Sequence, residues 1–109
     1  MKSIEDALLY DFYGNLLTDK MQDALESYLM DDLSLAEIAQ TQNISRQGVY
    51  DTIRRGIKTL HEYEDKLGLV EKFNQQARSL DKAIQLIDNN DYSEAREVIK
   101  TLRDDITGD

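Results

Sequence analysis

The sequence predicts an all-α protein, a helix-turn-helix bundle followed by a C-terminal helical hairpin. Three observations carry that expectation. Apolar residues recur at steps of three and four along most of the chain, and no stretch alternates convincingly enough for a strand. Proline is absent and only 5 of the 109 residues are glycine, too few turn formers for a sandwich or barrel. Ser, Thr and Asn also stand where helices would start or turn. With 40% hydrophobic residues, a chain of this length suits one compact core. The expected division is a helix-turn-helix domain over 1–68 and a hairpin over 69–109, the two packed as a single unit.

The elements follow in order. Ser3 caps a first helix, with Glu5 and Asp6 in the first turn, where acids suit the helix dipole. Ile4, Leu8, Phe12 and Leu16 are its expected inner face. Thr18 caps a second helix with Met21, Leu25, Tyr28 and Leu29 inward, and Met30, Asp31 and Asp32 close it. Ser34 and Glu37 have the spacing of a capping box and start a third helix, buried along Leu35, Ile38 and Ala39. Asn43 suits the left-handed residue of a sharp turn. Ile44 plugs that turn, and Ser45 caps the next helix. There Val49, Ile53, Ile57 and Leu60 share one narrow arc. Gly68 is a natural C-cap for this helix. Beyond it, Val70, Phe73, Ala77, Leu80, Ile84 and Ile87 form a regular packing seam. Residues 88–91 turn the chain, Ser93 caps, and Ala95, Val98, Ile99 and Leu102 form the returning face.

The formal net charge is -9, which works against indiscriminate attraction to nucleic acid or to an anionic membrane. The charge is unevenly spread. Residues 45–60 carry Arg46, Arg54, Arg55 and Lys58 against Asp51 alone, a local +3, while the other 93 residues total -12. The basic segment is the second helix of the suspected motif. A helix-turn-helix needs small residues where its helices approach, here Ala39 and Gly48, and apolar wedges, here Ile44 and Val49. It also needs exposed donors at the start of the second helix, which enters the major groove. Arg46 and Gln47 supply donors suited to guanine and adenine. Arg54, Arg55 and Lys58 suit phosphates, which position without specifying, and Tyr50 can do either. The same residues also fit a plainer description, two capped helices with a solvated basic stripe.

Other classes find little support. The chain has no cysteine, so disulfides and thiolate metal sites are excluded and a reducing compartment is compatible. Its first residues lack the apolar core of a signal peptide, and no apolar run reaches membrane-spanning length. A cytoplasmic protein without membrane insertion is expected. The single histidine, His61, lies in the charged stretch "HEYED" and reads as solvated. No phosphate loop, nucleophile elbow or metal-ligand spacing occurs. Neither an enzyme nor a cofactor or metal is expected.

The stretch "LLTDKMQDALESYLMDDLSLAEIAQTQNISRQGVYDTIRRGIKTL" resembles region 4 of bacterial sigma factors. More closely, "YDFYGNLLT", "LMDDLSLAEIA", "ISRQGVYDTIRR" and "YEDKLGLVEKF" together resemble the YlxM family of helix-turn-helix proteins, over about residues 8–75. That resemblance implies a DNA-binding regulator connected with the signal recognition particle pathway, whose GTPase genes neighbour the family's own. The hairpin after Gln75 lies outside the region-4 pattern, so promoter reading does not carry over with it.

Two functional readings stand side by side. One is a regulator reading DNA weakly per monomer through the helix that begins at Arg46. The other is an interaction module acting on a signal recognition particle component, for which the acidic body would complement a basic partner. A homodimer is also expected. The seam Val70, Phe73, Ala77, Leu80, Ile84 and Ile87 offers more apolar surface than the returning helix can cover, unless it folds back on the N-terminal helices.

Overall fold

The computed structural model describes residues 3–108. Among them it places six α-helices and no strand: α1 Ile4–Tyr13, α2 Asp19–Leu25, α3 Leu35–Gln42, α4 Arg46–Leu67, α5 Leu69–Asp88 and α6 Tyr92–Thr107. The chain divides into two compact units, Met1–Val70 and Glu71–Asp109.

In the first unit, side chains cap the helix starts. Ser3 Oγ accepts from the Asp6 N–H at 3.0 Å, and Thr18 Oγ1 from the Met21 N–H at 3.2 Å. The capping box closes in both directions: Ser34 Oγ accepts from the Glu37 N–H at 3.1 Å, and Glu37 Oε1 accepts from the Ser34 N–H at 2.9 Å. Ser45 Oγ accepts from the Gly48 N–H at 3.0 Å. Each bond satisfies a donor that the first helical turn leaves without an intrahelical acceptor. Two left-handed residues stop the helices, Asn43 at φ 56 after α3 and Gly68 at φ 63 after α4. The bend at Asn43 separates α3 from α4 and completes the helix-turn-helix.

The core forms where α1, α2 and α3 meet α4. Leu9, Tyr13, Leu25, Ile38, Val49 and Leu60 are fully buried in it. The inner face expected for α1 is corrected. Leu8 and Phe12 do pack, partly buried, against the core, but Ile4 is 90% exposed and Leu16 57%, and the buried residues are Leu9, Tyr13 and Leu17. A run of i, i+4 steps turns about 40° per step, so over three steps it leaves the face it started on. The helix also stops early, at Tyr13, and passes into a short 3-10 turn over Gly14–Leu16. The second helix ends in a wider π turn over Glu26–Met30.

Gly48, expected where α3 and α4 approach, makes no close interhelical contact, and the tight glycine contact is that of α4 with α2 at Gly56. A methyl group at Gly56 would sit 2.8 Å from Leu25 Cδ1, whereas at Gly48 it would meet only Ser45 Oγ and Ile44 of its own turn. The C-terminal half of α4 is fastened to α1. Tyr13 Oη donates to Glu64 Oε1 at 2.6 Å and accepts from the Leu69 N–H at 3.1 Å, and the same Glu64 oxygen accepts from the Val70 N–H at 3.0 Å. His61 Nε2 lies 3.0 Å from Asp6 Oδ1, and this carboxylate is largely buried. His61 is thus a tie between helices, not the solvated side chain its neighbours in the sequence suggest.

The second unit is the helical hairpin, with its chain reversal at Asn90, φ 64. Asp91, not Ser93, takes the N-cap position of α6, and its side chain makes no capping hydrogen bond. The packing seam is also corrected. Val70 is buried, but in the core of the first unit. Phe73, Ala77, Leu80, Ile84 and Ile87 all remain exposed. On α5 the face that meets α6 is one residue position round from the expected one, whereas on α6 Ala95, Val98 and Leu102 of the expected face do meet it. Ala83 of α5 and Ala95 of α6 are 2% exposed, and Ser79 shares clefts with Leu102 and with Val98. Ile99, expected on the returning face, is 45% exposed. Small residues draw the two helices together and leave the bulkier stripe outside.

Candidate nucleic-acid interface

The basic segment lies on the first three to four turns of α4. Val49, Ile53 and Leu60 fix the inward side of the helix. At about 100° per residue, Gln47, Arg54 and Lys58 then point directly away from the core, with Arg46 and Tyr50 along one border and Arg55 along the other. All six side chains are exposed. The first turn of α4 contains no acid, so the positive end of its dipole stays uncompensated beside Arg46 and Gln47. Beyond Lys58 the sign of the outward face changes, as Glu62 and Asp65 occupy it. The cationic surface is therefore confined to the end of α4 that carries the turn.

Its support comes from beneath. Tyr50 and Leu35 border one cleft together with Arg46 and Gln47. They border another with Tyr28, Ile53, Arg54 and Ile57. Tyr50 thus borders both clefts with Leu35 of α3, and shares them on its own helix with Arg46 (i−4) and Arg54 (i+4). Thr52, 2% exposed, donates from Oγ1 to the Gly48 carbonyl at 2.9 Å and leaves no buried polar atom unsatisfied beneath the surface. On the outer face, Gln47 Nε2 donates to Asp51 Oδ1 at 3.0 Å. That bond orients the amide and holds the one acid of the basic segment against it. The i, i+4 spacing that permits it is visible in the sequence.

The structure thus gathers Arg46, Gln47, Tyr50, Arg54, Arg55 and Lys58 on one exposed side of one helix, braced by the capped α3. It also shows a second charged surface that periodicity does not reveal. The pKa of Tyr10 is raised, first by burial and then by Glu26, Asp23, Asp11 and Asp31. These exposed acids, from α1, α2, the π turn and its C-cap Asp31, act together on the Tyr10 hydroxyl although they are scattered in sequence. The Glu37 carboxyl is held below its ordinary value, chiefly by the Ser34 backbone N–H. Among the described residues, no helix is long and apolar enough to cross a membrane, and no group of three or more His, Cys, Asp or Glu side chains is placed to hold a metal ion.

Comparison with known proteins bears on this arrangement. Residues 1–104 match the UPF0122 family model, described as "Putative helix-turn-helix protein, YlxM / p13 like". The chain is 50% identical over 90 residues to a UPF0122 protein of Desulforamulus reducens, covering 83% of this chain and 77% of that protein. It is 43% identical over 104 residues to one from Symbiobacterium thermophilum, covering 94% and 97%. To one from Acetivibrio thermocellus it is 50% identical over 109 residues, covering 96% and 93%.

Proposed function

Because the chain belongs to the UPF0122 family of YlxM/p13-like helix-turn-helix proteins, we propose that it is a DNA-binding regulator whose reading element is the N-terminal half of α4. The observation that carries this reading is the exposed side formed by Arg46, Gln47, Tyr50, Arg54, Arg55 and Lys58. Residues 45–60 carry a local +3 in a chain with net charge -9. Arg46 and Gln47 stand at the tip, where the second helix of such a motif meets base edges. Arg54, Arg55 and Lys58 line the flank that would run beside phosphates. The acidic remainder opposes non-specific attraction, so binding is weak per module and depends on the few contacts at the tip. A second copy, joined through the hairpin, would add a second reading helix.

Selection from random duplexes at low salt tests the proposal, with Gln47→Ala and Lys58→Ala in parallel. Enrichment of a sequence by the wild type, relaxed by Gln47→Ala, supports base reading. Lys58→Ala is expected to weaken all duplexes alike. No enrichment, with equal affinity for every duplex, would remove sequence reading from the proposal.

The second reading is an interaction module acting on a component of the signal recognition particle. It draws on the family resemblance and on the acids gathered around Tyr10, a surface that would complement a basic protein. Pull-down with and without nuclease separates the two. A partner retained after nuclease supports the module, whereas partners lost with the nucleic acid support DNA reading.

A further inference from the structure

The hairpin leaves one whole side apolar. Leu80, Ile84 and Ile87 of α5 are between 44% and 55% exposed, and Tyr92, Ile99 and Ile106 of α6 between 45% and 61%. Their position follows from helical register. On α5 the stripe lies about 100° round from the line through Ser79 and Ala83 that meets α6. On α6, Ile99 and Ile106 lie about 70° round, in the same chain sense, from the line through Ala95, Val98 and Leu102. The two helices run antiparallel, so equal chain senses bring both stripes to the same side of the pair. Together these six side chains expose on the order of 500 Å² of apolar surface, against roughly 800 Å² per partner in a standard interface.

The edges of this side carry opposite charges. Along the outer border of α5 stand Asp81 and Asp88; along the outer border of α6 stand Arg96 and Arg103. Ser79 is level with the turn between Val98 and Leu102. Asp81 therefore lies within about one turn of Arg96 and about one and a half turns of Arg103 along the hairpin, and Asp88 about one and a half turns from Arg96. Arg103 bonds to Asp104 at 3.0 Å, an exposed pair of the kind that competes weakly with a new partner.

We propose that this side is covered by a second copy of the chain, related by a two-fold axis running along the helices, to form an antiparallel four-helix bundle. Rotation about such an axis keeps each residue at its level and lays α5 of one copy over α6 of the other. The acidic edge of each copy then meets the basic edge of its partner, twice in one dimer. A two-fold axis running across the helices would instead set Asp81 and Asp88 against their own images, placing like charges together. The charge pattern thus selects both the occupant and the symmetry. This inference does not depend on DNA binding.

Sedimentation equilibrium on the full chain tests it. The wild type is expected to dimerise, and Ile84→Glu to sediment as a monomer with unchanged helical circular dichroism. Neutralising one edge with Asp81→Asn and Asp88→Asn is expected to weaken the dimer about tenfold at low salt. Exchanging the edges, with Asp81→Arg, Asp88→Arg, Arg96→Asp and Arg103→Asp in one chain, is expected to restore wild-type affinity. Should Ile84→Glu unfold, the edge variants decide alone, since they alter only exposed positions. A monomeric wild type overturns the proposal. So does a dimer that survives in a folded Ile84→Glu chain, or one that tightens when the two aspartates are neutralised.

Discussion

At the scale of single residues, two contacts decide most about the exposed side of α4 and its support. Gln47 is held by Asp51 at 3.0 Å, so under the proposed function the amide would have to exchange that bond for one to a base edge. Asp51 also brings a negative charge to the surface that would face phosphate. Asp51→Ala is expected to raise affinity for all duplexes several-fold, and Gln47→Ala to cost about 1–3 kcal/mol of discrimination at one base pair. Fluorescence anisotropy with matched and mismatched duplexes reads both. An Asp51→Ala variant that binds no better would show that this carboxylate does not oppose DNA. Beneath the surface, Gly56 allows Leu25 to approach at a distance where a methyl group would be 2.8 Å from Cδ1. Overpacking there costs roughly 1–3 kcal/mol and the gain in helix propensity returns about 1. Gly56→Ala is therefore expected to lose about 1 kcal/mol in urea denaturation. Adding Leu25→Ala should relieve the clash, giving a measurable coupling between the two sites; strictly additive losses would mean that Leu25 is not what Gly56 accommodates.

At the scale of elements, the caps and ties make their own statements about pH. The Glu37 carboxyl is depressed by the N–H of Ser34, so the folded state holds its carboxylate form more strongly than the unfolded chain does. That contribution is present above the ordinary value of 4.5 and is lost as pH falls through the lower, folded value. Acid should loosen the start of α3, and Glu37→Gln should flatten that part of the profile. Tyr13 runs the other way. Burial and the bond to Glu64 raise its pKa above 10.0, so its stabilising effect is complete below pH 10.0 and is lost as pH rises through the folded value. Tyr13→Phe also leaves the Leu69 N–H without its acceptor, and is expected to cost about 1–3 kcal/mol at neutral pH while removing that alkaline loss. Thermal denaturation across pH checks both. The sequence makes these caps legible because each spans three residues. Packing faces are less legible. For α1, an i, i+4 run of apolar residues looks like a face but winds off it, and the true face was set by Tyr13, whose partners Glu64 and Leu69 are more than fifty residues away. For α5, the bulkiest stripe was the most conspicuous, yet Ser79 and Ala83 were chosen against α6 because small side chains let two helices come close.

At the scale of the whole molecule, the chain sets four cations at one site, Arg46, Arg54, Arg55 and Lys58, against a net charge of -9. If all four meet phosphates, log Kobs should fall with log salt at a slope of about -3 to -4 per module, and twice that for a dimer engaging DNA with both. A titration over potassium chloride measures the slope, and Lys58→Ala should lower it by about one. Binding that ignores salt would point to contacts other than phosphate. The candidate site was legible from the sequence as a set of residues, since its members fall within thirteen positions of one helix. The acids around Tyr10 were not, since three elements must fold before they meet. One feature of α4 reaches further. Its outward side chains at 46, 47, 54 and 58 take no part in the core made by Val49, Ile53 and Leu60, so substitutions there meet almost no stability threshold. Mutational drift can then rewrite the exposed side of α4 while the scaffold stays constant, and under the proposed function relatives that share this fold would be free to diverge in the sequence each one reads.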